Sequence, residues 1–199
     1  MIRTKIYTPP DVVLSEVLRY MGAKEADEAL LSLARDVVRE ASSAFCYKVV
    51  WRELDVLHLG NEVDLGFCVT DSKNVNKYLQ NSDKAIIFCA TVGFEIDRLI
   101  RKWSVADSAR CLALQALGSE RVESLCDTFF EDIKEMLPEG VMALPRISPG
   151  YGDIPLSMQR DIFRALSPER NIGVSLNESL LMSPSKSVTA LVGLSRCHD

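Results

Sequence analysis

With 199 residues the chain suits one large domain or two small ones, and it can bury a substantial core without disulfide staples. Its 23 Lys and Arg against 28 Asp and Glu leave a formal charge of −5, which offers no broadly basic surface for nucleic acid or an anionic membrane. A single domain whose partners are proteins or small molecules is the expectation.

In chain order, Pro9-Pro10 followed by Asp11 predicts a helix capped by Asp11, running to Tyr20 and closed by Gly22. Ala26, Leu30, Leu33, Val37 and Val38 recur at three- and four-residue steps, so a second amphipathic helix is expected from Ala23 to about Ala44. The first 45 residues read as mostly helical. YKVVWRELDVLHL (47–59) and NEVDLGFCVT (61–70) partly alternate polar with apolar residues and predict two strands, followed by a short helix over Asn74 to Leu79. KAIIFCATVG carries the continuous apolar run Ile86 to Ala90 and predicts a strand buried on both faces, in the middle of a sheet. Helical periodicity then runs from Glu95 to Pro138, with a break expected near Trp103-Ser104 and an interruption at Gly118. Beyond Gly140 come a loop, a helix over about Leu156 to Leu166, and two segments, NIGVSLNESLLM and KSVTALVGLS, that predict an antiparallel hairpin around Ser183-Pro184-Ser185. The expected fold class is α+β: a single domain with a central antiparallel sheet flanked by helices.

Six cysteines stand singly with no CxxC pair, which reads as buried free thiols of a reducing compartment. No apolar leader opens the sequence and no stretch reaches the roughly 18 uninterrupted apolar residues of a membrane span, so a cytoplasmic location is expected. The familiar catalytic constellations are missing. There are two histidines, His58 in an expected strand and His198 at the end, so a His-centred triad or multi-histidine metal site lacks material. Cys197-His198-Asp199 reads as a loose terminus rather than a metal clip. GxGxxG, GxxxxGK[ST] and GxSxG do not occur.

One stretch stands out. In RISPGYGDIP (146–155) two prolines and two glycines crowd around one arginine and one tyrosine. Gly150 and Gly152 permit backbone conformations and close approaches that side chains forbid, while Pro149 and Pro155 restrict the alternatives, so the loop can be rigid without being regular. Arg146 offers a planar fork for a carboxylate or phosphate, and Tyr151 an aromatic face beside a hydroxyl. From the residues alone two accounts stand: a small-ligand loop, or a tight connection whose Arg pairs with a surface acid and whose Tyr packs on the core.

RISPGYGDIPL, followed about twenty residues later by IGVSLNESLLMSPSKSVTALVGL, resembles the activation (reactivation) domain of cobalamin (vitamin B12)-dependent methionine synthase in its stand-alone form. The family's R-x-x-x-G-Y motif matches Arg146 to Tyr151, FCATVGFEID resembles its strand-to-helix junction, and ALGSERVESL resembles a family helix whose glutamate faces the ligand. The likeness covers residues 85 to 195 and is strongest beyond 144; residues 1 to 80 match weakly.

The resemblance implies an unusual α+β domain that holds S-adenosylmethionine against a corrin when the synthase's cobalamin has been oxidised to inactive cob(II)alamin. It implies that Arg146 forks onto the ligand's carboxylate, that backbone around Ser148 contacts the ligand, that Gly150 allows close approach and that Tyr151 lies towards ligand or corrin. Glu123 would face the ligand's amino group or ribose. Glu178 matches the glutamate of the family's T-E-S hairpin, with Asn177 in place of threonine, and a purely structural role bonding local amides is the favoured reading there. Lys186 is read as a solvated turn rather than an anion contact.

The family's further ligand tyrosine would lie beyond Asp199, and its N-terminal ligand aspartate has no match among residues 1 to 80. The implied partners are a synthase lacking its own activation domain, which carries the cobalamin, and a flavodoxin- or ferredoxin-type electron donor, with action in trans. Nucleic acid and membrane are not expected partners. The alternatives are a non-catalytic interaction module of a corrinoid methyltransferase that has lost the ligand, and a reactivator of some other corrinoid methyltransferase.

Overall fold

The alternation within residues 85–90 decides the architecture. Ile86, Phe88 and Ala90 pack into one apolar cluster while Ala85, Ile87 and Cys89 pack into another, so this strand is buried on both faces and separates two cores. The computed structural model describes residues 1–196 apart from Lys24 and Ala26. Cys197, His198 and Asp199, read above as a loose terminus, lie outside the described residues.

The elements run β1 (Arg3–Ile6), α1 (Leu14–Tyr20), α2 (Glu28–Glu40), β2 (Lys48–Asp55), β3 (Leu57–Leu59), β4 (Glu62–Asp64), β5 (Val69–Thr70) and α3 (Lys73–Leu79). They continue with β6 (Ser82–Thr91), α4 (Glu95–Ala106), α5 (Ser108–Met136), β7 (Val141–Ala143), α6 (Met158–Leu166), α7 (Pro168–Ile172), β8 (Ser175–Leu176), β9 (Met182–Ser183) and β10 (Ser187–Arg196). The main sheet has the order β1-β2-β6-β10-β7, with every neighbour antiparallel. On one face lie α1, α2, α4 and α5; on the other lie α3, α6, α7 and a small sheet of β3, β4 and β5. The fold is thus α+β with a central antiparallel sheet flanked by helices, and β6 is its middle strand. No helix among the described residues is long and apolar enough to cross a membrane.

Several expectations are corrected. Residues 3–6 form an edge strand paired with β2 and the helices cover only Leu14–Tyr20 and Glu28–Glu40, so the first 45 residues are not mostly helical. Asp11 does not cap α1, which starts after Val13 without a side-chain cap. Instead the buried pair Glu120 and Arg121 on α5 takes hold of the segment: Arg121 donates to the carbonyls of Pro10 and Asp11 at 2.5 and 2.6 Å, and Val13 N donates to Glu120 Oε1 at 3.1 Å. α2 is shorter than expected because Asp27 caps it, accepting from Leu30 N at 2.8 Å. The break after Glu95 falls at Asp107, whose carboxylate caps α5 by accepting from Arg110 N, and α5 then runs unbroken through Gly118. The C-terminal hairpin is not the expected one. NIGVSLNESLLM folds on itself through β8 and β9, while β10 inserts between β6 and the strand β7 that the sequence reading missed. Of the cysteines, Cys89 and Cys126 are buried, but Cys46 is exposed, and no disulfide forms among the described residues. Burial pushes the Cys89 and Cys126 thiols well above their ordinary range.

Candidate functional site

The loop at 146–155 begins as a continuation of the sheet. Beyond β7, Leu144 N donates to the Gly193 carbonyl at 2.8 Å, and Ile147 exchanges hydrogen bonds with Leu191 at 3.0 and 2.8 Å. An extended segment places successive side chains on opposite faces, and these do so: Ile147 packs into the core beneath α3 and α6, whereas Arg146 turns to α5. The chain then tightens. Tyr151 N donates to the Ser148 carbonyl, Gly150 N to the Ile154 carbonyl and Ile154 N to the Tyr151 carbonyl, at 3.2, 2.9 and 3.0 Å. Gly150 and Gly152 sit at φ +87° and +58°, in the left-handed region that these turns require.

Asp153 fixes this loop to the start of α3. Its Oδ1 accepts from Ser72 Oγ at 2.5 Å and Asn74 N at 3.2 Å, and its Oδ2 accepts from Lys73 N at 2.7 Å. The Ser72 hydrogen bond, joined by those from backbone amides, holds the Asp153 carboxyl below the ordinary aspartate range. The crowding of glycine and proline therefore answers a structural need: the chain leaves a sheet edge, reverses within a few residues and docks on a helix terminus.

Arg146 is half-buried and Nη2 donates to Glu123 Oε2 at 2.6 Å and to Asp127 Oδ1 at 3.1 Å. Burial alone works against its charge, but the hydrogen-bonded carboxylates of Glu123 and Asp127 outweigh it, so the guanidinium pKa lies above the usual arginine value. Glu123 and Asp127 are four residues apart on α5 and so share a face. The three groups together carry a formal charge of −1. One turn earlier on that face is Ser119, whose Oγ accepts from Lys186 Nζ at 3.0 Å. A continuous polar seam thus runs along α5 beside β10.

The residues singled out in the sequence fall into separate places. Arg146 and Glu123 meet directly. Ser148 lines a narrow apolar crevice with Pro149, Ile154 and Met158. Tyr151 is 70% exposed and does not pack on the core. It borders an open cleft of about 680 Å³ with Asn74, Lys77, Tyr78 and Gln80, away from the Arg146 seam. Glu178 is exposed and does not bond the hairpin amides as expected; Asn177 does, its Oδ1 accepting from Leu181 N at 2.9 Å, while the Glu178 carbonyl accepts from Arg160. His58 touches the Ser82 carbonyl through Nε2 at 3.3 Å, a sheet contact. Lys186, read as a solvated turn, is half-buried against α5. Asp127, Ser119 and Asp153 were missed. The i, i+4 spacing of Ser119, Glu123 and Asp127 was the available signal for the first two. No group of acidic, His or Cys residues suited to a metal ion occurs among the described residues.

No family model matches the sequence, and no curated protein matches it. Among solved structures the fold is similar to the crystal structure of the MetH reactivation domain bound to AdoHcy, with a TM-score of 0.74 at 15% identity over 100% of this chain and 80% of that one. The likeness establishes the fold.

Proposed function

We propose that this chain binds S-adenosylmethionine and acts in trans on a cobalamin-dependent methionine synthase, supporting remethylation of its inactive cob(II)alamin. The observation that carries the reading is the meeting of Arg146 and Glu123 at 2.6 Å. The resemblance singled out these two residues separately, and they come together on the fold of a domain crystallised with AdoHcy. Their charge also fits. S-adenosylmethionine carries a sulfonium and an ammonium against one carboxylate, and the formally −1 group of Arg146, Glu123 and Asp127 favours such a net cation.

The sulfonium supplies an activated methyl group, for which the partner's cobalamin, reduced by one electron from a flavodoxin- or ferredoxin-type donor, is the acceptor. The protein then needs to contribute position rather than acid–base groups, in keeping with a site built from a braced arginine and backbone. Arg146 and Glu123 hold the polar end of the ligand. Ser148 and Gly150 shape the loop that presents Arg146, and the exposed Tyr151 ring, on the far side of that loop from the seam, is left to the docking partner. Glu178 has no part in this site.

Calorimetric titration with S-adenosylmethionine tests the reading, performed alone and with a cobalamin-loaded synthase lacking its own activation domain. Arg146→Ala removes the charge-assisted hydrogen bonds, each worth roughly 1.5–3 kcal/mol, that fix Glu123 and Asp127 in place, and with the two acids no longer positioned binding is expected to weaken about tenfold or more. Binding by the unaltered protein that survives the substitution refutes the assigned role. Because Arg146 is already neutralised by its two acids, an interaction module without ligand is the second reading. Silence both alone and with the synthase would remove the ligand reading and favour this one.

A further inference from the structure

The 183–187 turn is fastened from both sides. Ser185 N and Oγ donate to Asp97 of α4 at 2.8 and 2.5 Å. Ser187 Oγ donates to the Pro184 carbonyl at 2.8 Å and accepts from Thr91 Oγ1 at 2.9 Å, and Val92 N donates to the Lys186 carbonyl at 3.2 Å. So held, the turn lays the Lys186 side chain across α5 at its one glycine. A Cβ built on Gly118 would stand 3.0 Å from both Cγ and Cε of Lys186 and 3.2 Å from Cδ, so the missing methyl is the notch in which the lysine stem lies. The ammonium donates to a neutral hydroxyl, that of Ser119, and forms no ion pair within 4 Å among the described residues. Burial holds its pKa below the ordinary lysine range, with Asp97 acting in the opposite sense.

Lys186 and Arg146 are the two cations of the seam, and they differ in one respect. Arg146 sits between two carboxylates, so an incoming carboxylate meets net negative charge there. Lys186 is half-desolvated, pre-positioned and without a paired charge, its ammonium held at Ser119, which is one helical turn from Glu123. We infer that Lys186, seated in the Gly118 notch, is the residue that recognises the carboxylate of the bound amino-acid moiety, while Arg146 braces Glu123 and Asp127 to receive the cationic groups. This assignment rests on the S-adenosylmethionine reading above and reverses the role that the resemblance implied for Arg146.

The test compares S-adenosylmethionine with decarboxylated S-adenosylmethionine, which lacks only the group in question. Both are titrated calorimetrically into the unaltered protein and into Lys186→Met, which keeps a stem in the notch, with the cobalamin-loaded synthase present. The substitution is expected to weaken S-adenosylmethionine about tenfold or more and to leave the decarboxylated ligand unchanged. Equal losses for both ligands, or no loss, overturn the assignment while the ligand site stands. Failure of the unaltered protein to bind S-adenosylmethionine removes the site and the assignment together. Should Lys186→Met not fold, the Lys186 side-chain carbon resonances of the unaltered protein provide the readout. Their titration midpoint rises on adding S-adenosylmethionine if a carboxylate arrives, and an unmoved midpoint overturns the inference.

Discussion

Single side chains do unequal work in this domain. Asp153 receives three hydrogen bonds from Ser72, Lys73 and Asn74, so one carboxylate ties the Arg146–Tyr151 loop to α3. Because its folded pKa lies below the unfolded value near about 3.9, its stabilising contribution is present above that pH and is lost as the pH falls through the lower folded value. Asp153→Ala is therefore expected to lower the melting temperature at neutral pH. The difference from the unaltered protein should shrink towards zero in strong acid, as thermal scans across a pH series would show, and a gap independent of pH would assign the loss to something other than the carboxylate. This role was not legible in the sequence. A Gly-Asp pair before a proline announces a turn, but nothing local tells that the carboxylate will cap a helix some eighty residues earlier.

At the scale of elements, α5 organises the molecule. Its buried Glu120–Arg121 pair captures the N-terminal segment, its apolar positions Leu117, Leu125, Phe129 and Ile133 cover the sheet, and its next face carries Ser119, Glu123 and Asp127. Gly118 runs counter to helix propensity, where glycine costs about 1 kcal/mol relative to alanine. The Lys186 stem lying against it accounts for the exception. Gly118→Ala is expected to leave stability unchanged or raised by up to about 1 kcal/mol, measured by urea unfolding, while displacing Lys186 and weakening S-adenosylmethionine binding. Unchanged affinity alongside raised stability would show that the notch serves packing only. The helix itself was readable from its periodicity, but Gly118 read as an interruption because its occupant arrives from a turn 68 positions later in the chain.

For the whole molecule, two cores separated by one sheet place the polar seam of α5 on one face and the cleft beside Tyr151 on the other, so the geometry of both depends on the sheet between them. Phe129 joins α5 to that sheet, its ring centroid 5.0 Å from that of Phe88 and 5.2 Å from that of Trp51. Phe129→Ala is expected to cost about 3–5 kcal/mol of unfolding free energy, followed by urea denaturation. Because Asp127 is two residues away and Glu123 less than two turns away, binding is expected to fall with it. A variant that loses the stability yet keeps full affinity would separate the seam from the core beneath it.

What the sequence by itself determined follows from short-range rules. The twofold burial of residues 85–90, the helical periodicity from Glu95 onwards and the α+β class are set by patterns within a few residues, which is the range over which hydrophobic periodicity acts. The glycines and prolines of 146–155 likewise announced a tight, irregular loop from local backbone chemistry. Tertiary structure alone decided the rest: the edge strands β1 and β7, whose pairing partners lie far along the chain, the insertion of β10 beside β6, and the meeting of Arg146 with Glu123 and of Lys186 with Ser119. Whether a charged side chain ends in solvent, in an ion pair or in a notch depends on which surface folds against it. That surface is assembled from residues dozens of positions away, so no local pattern can encode it.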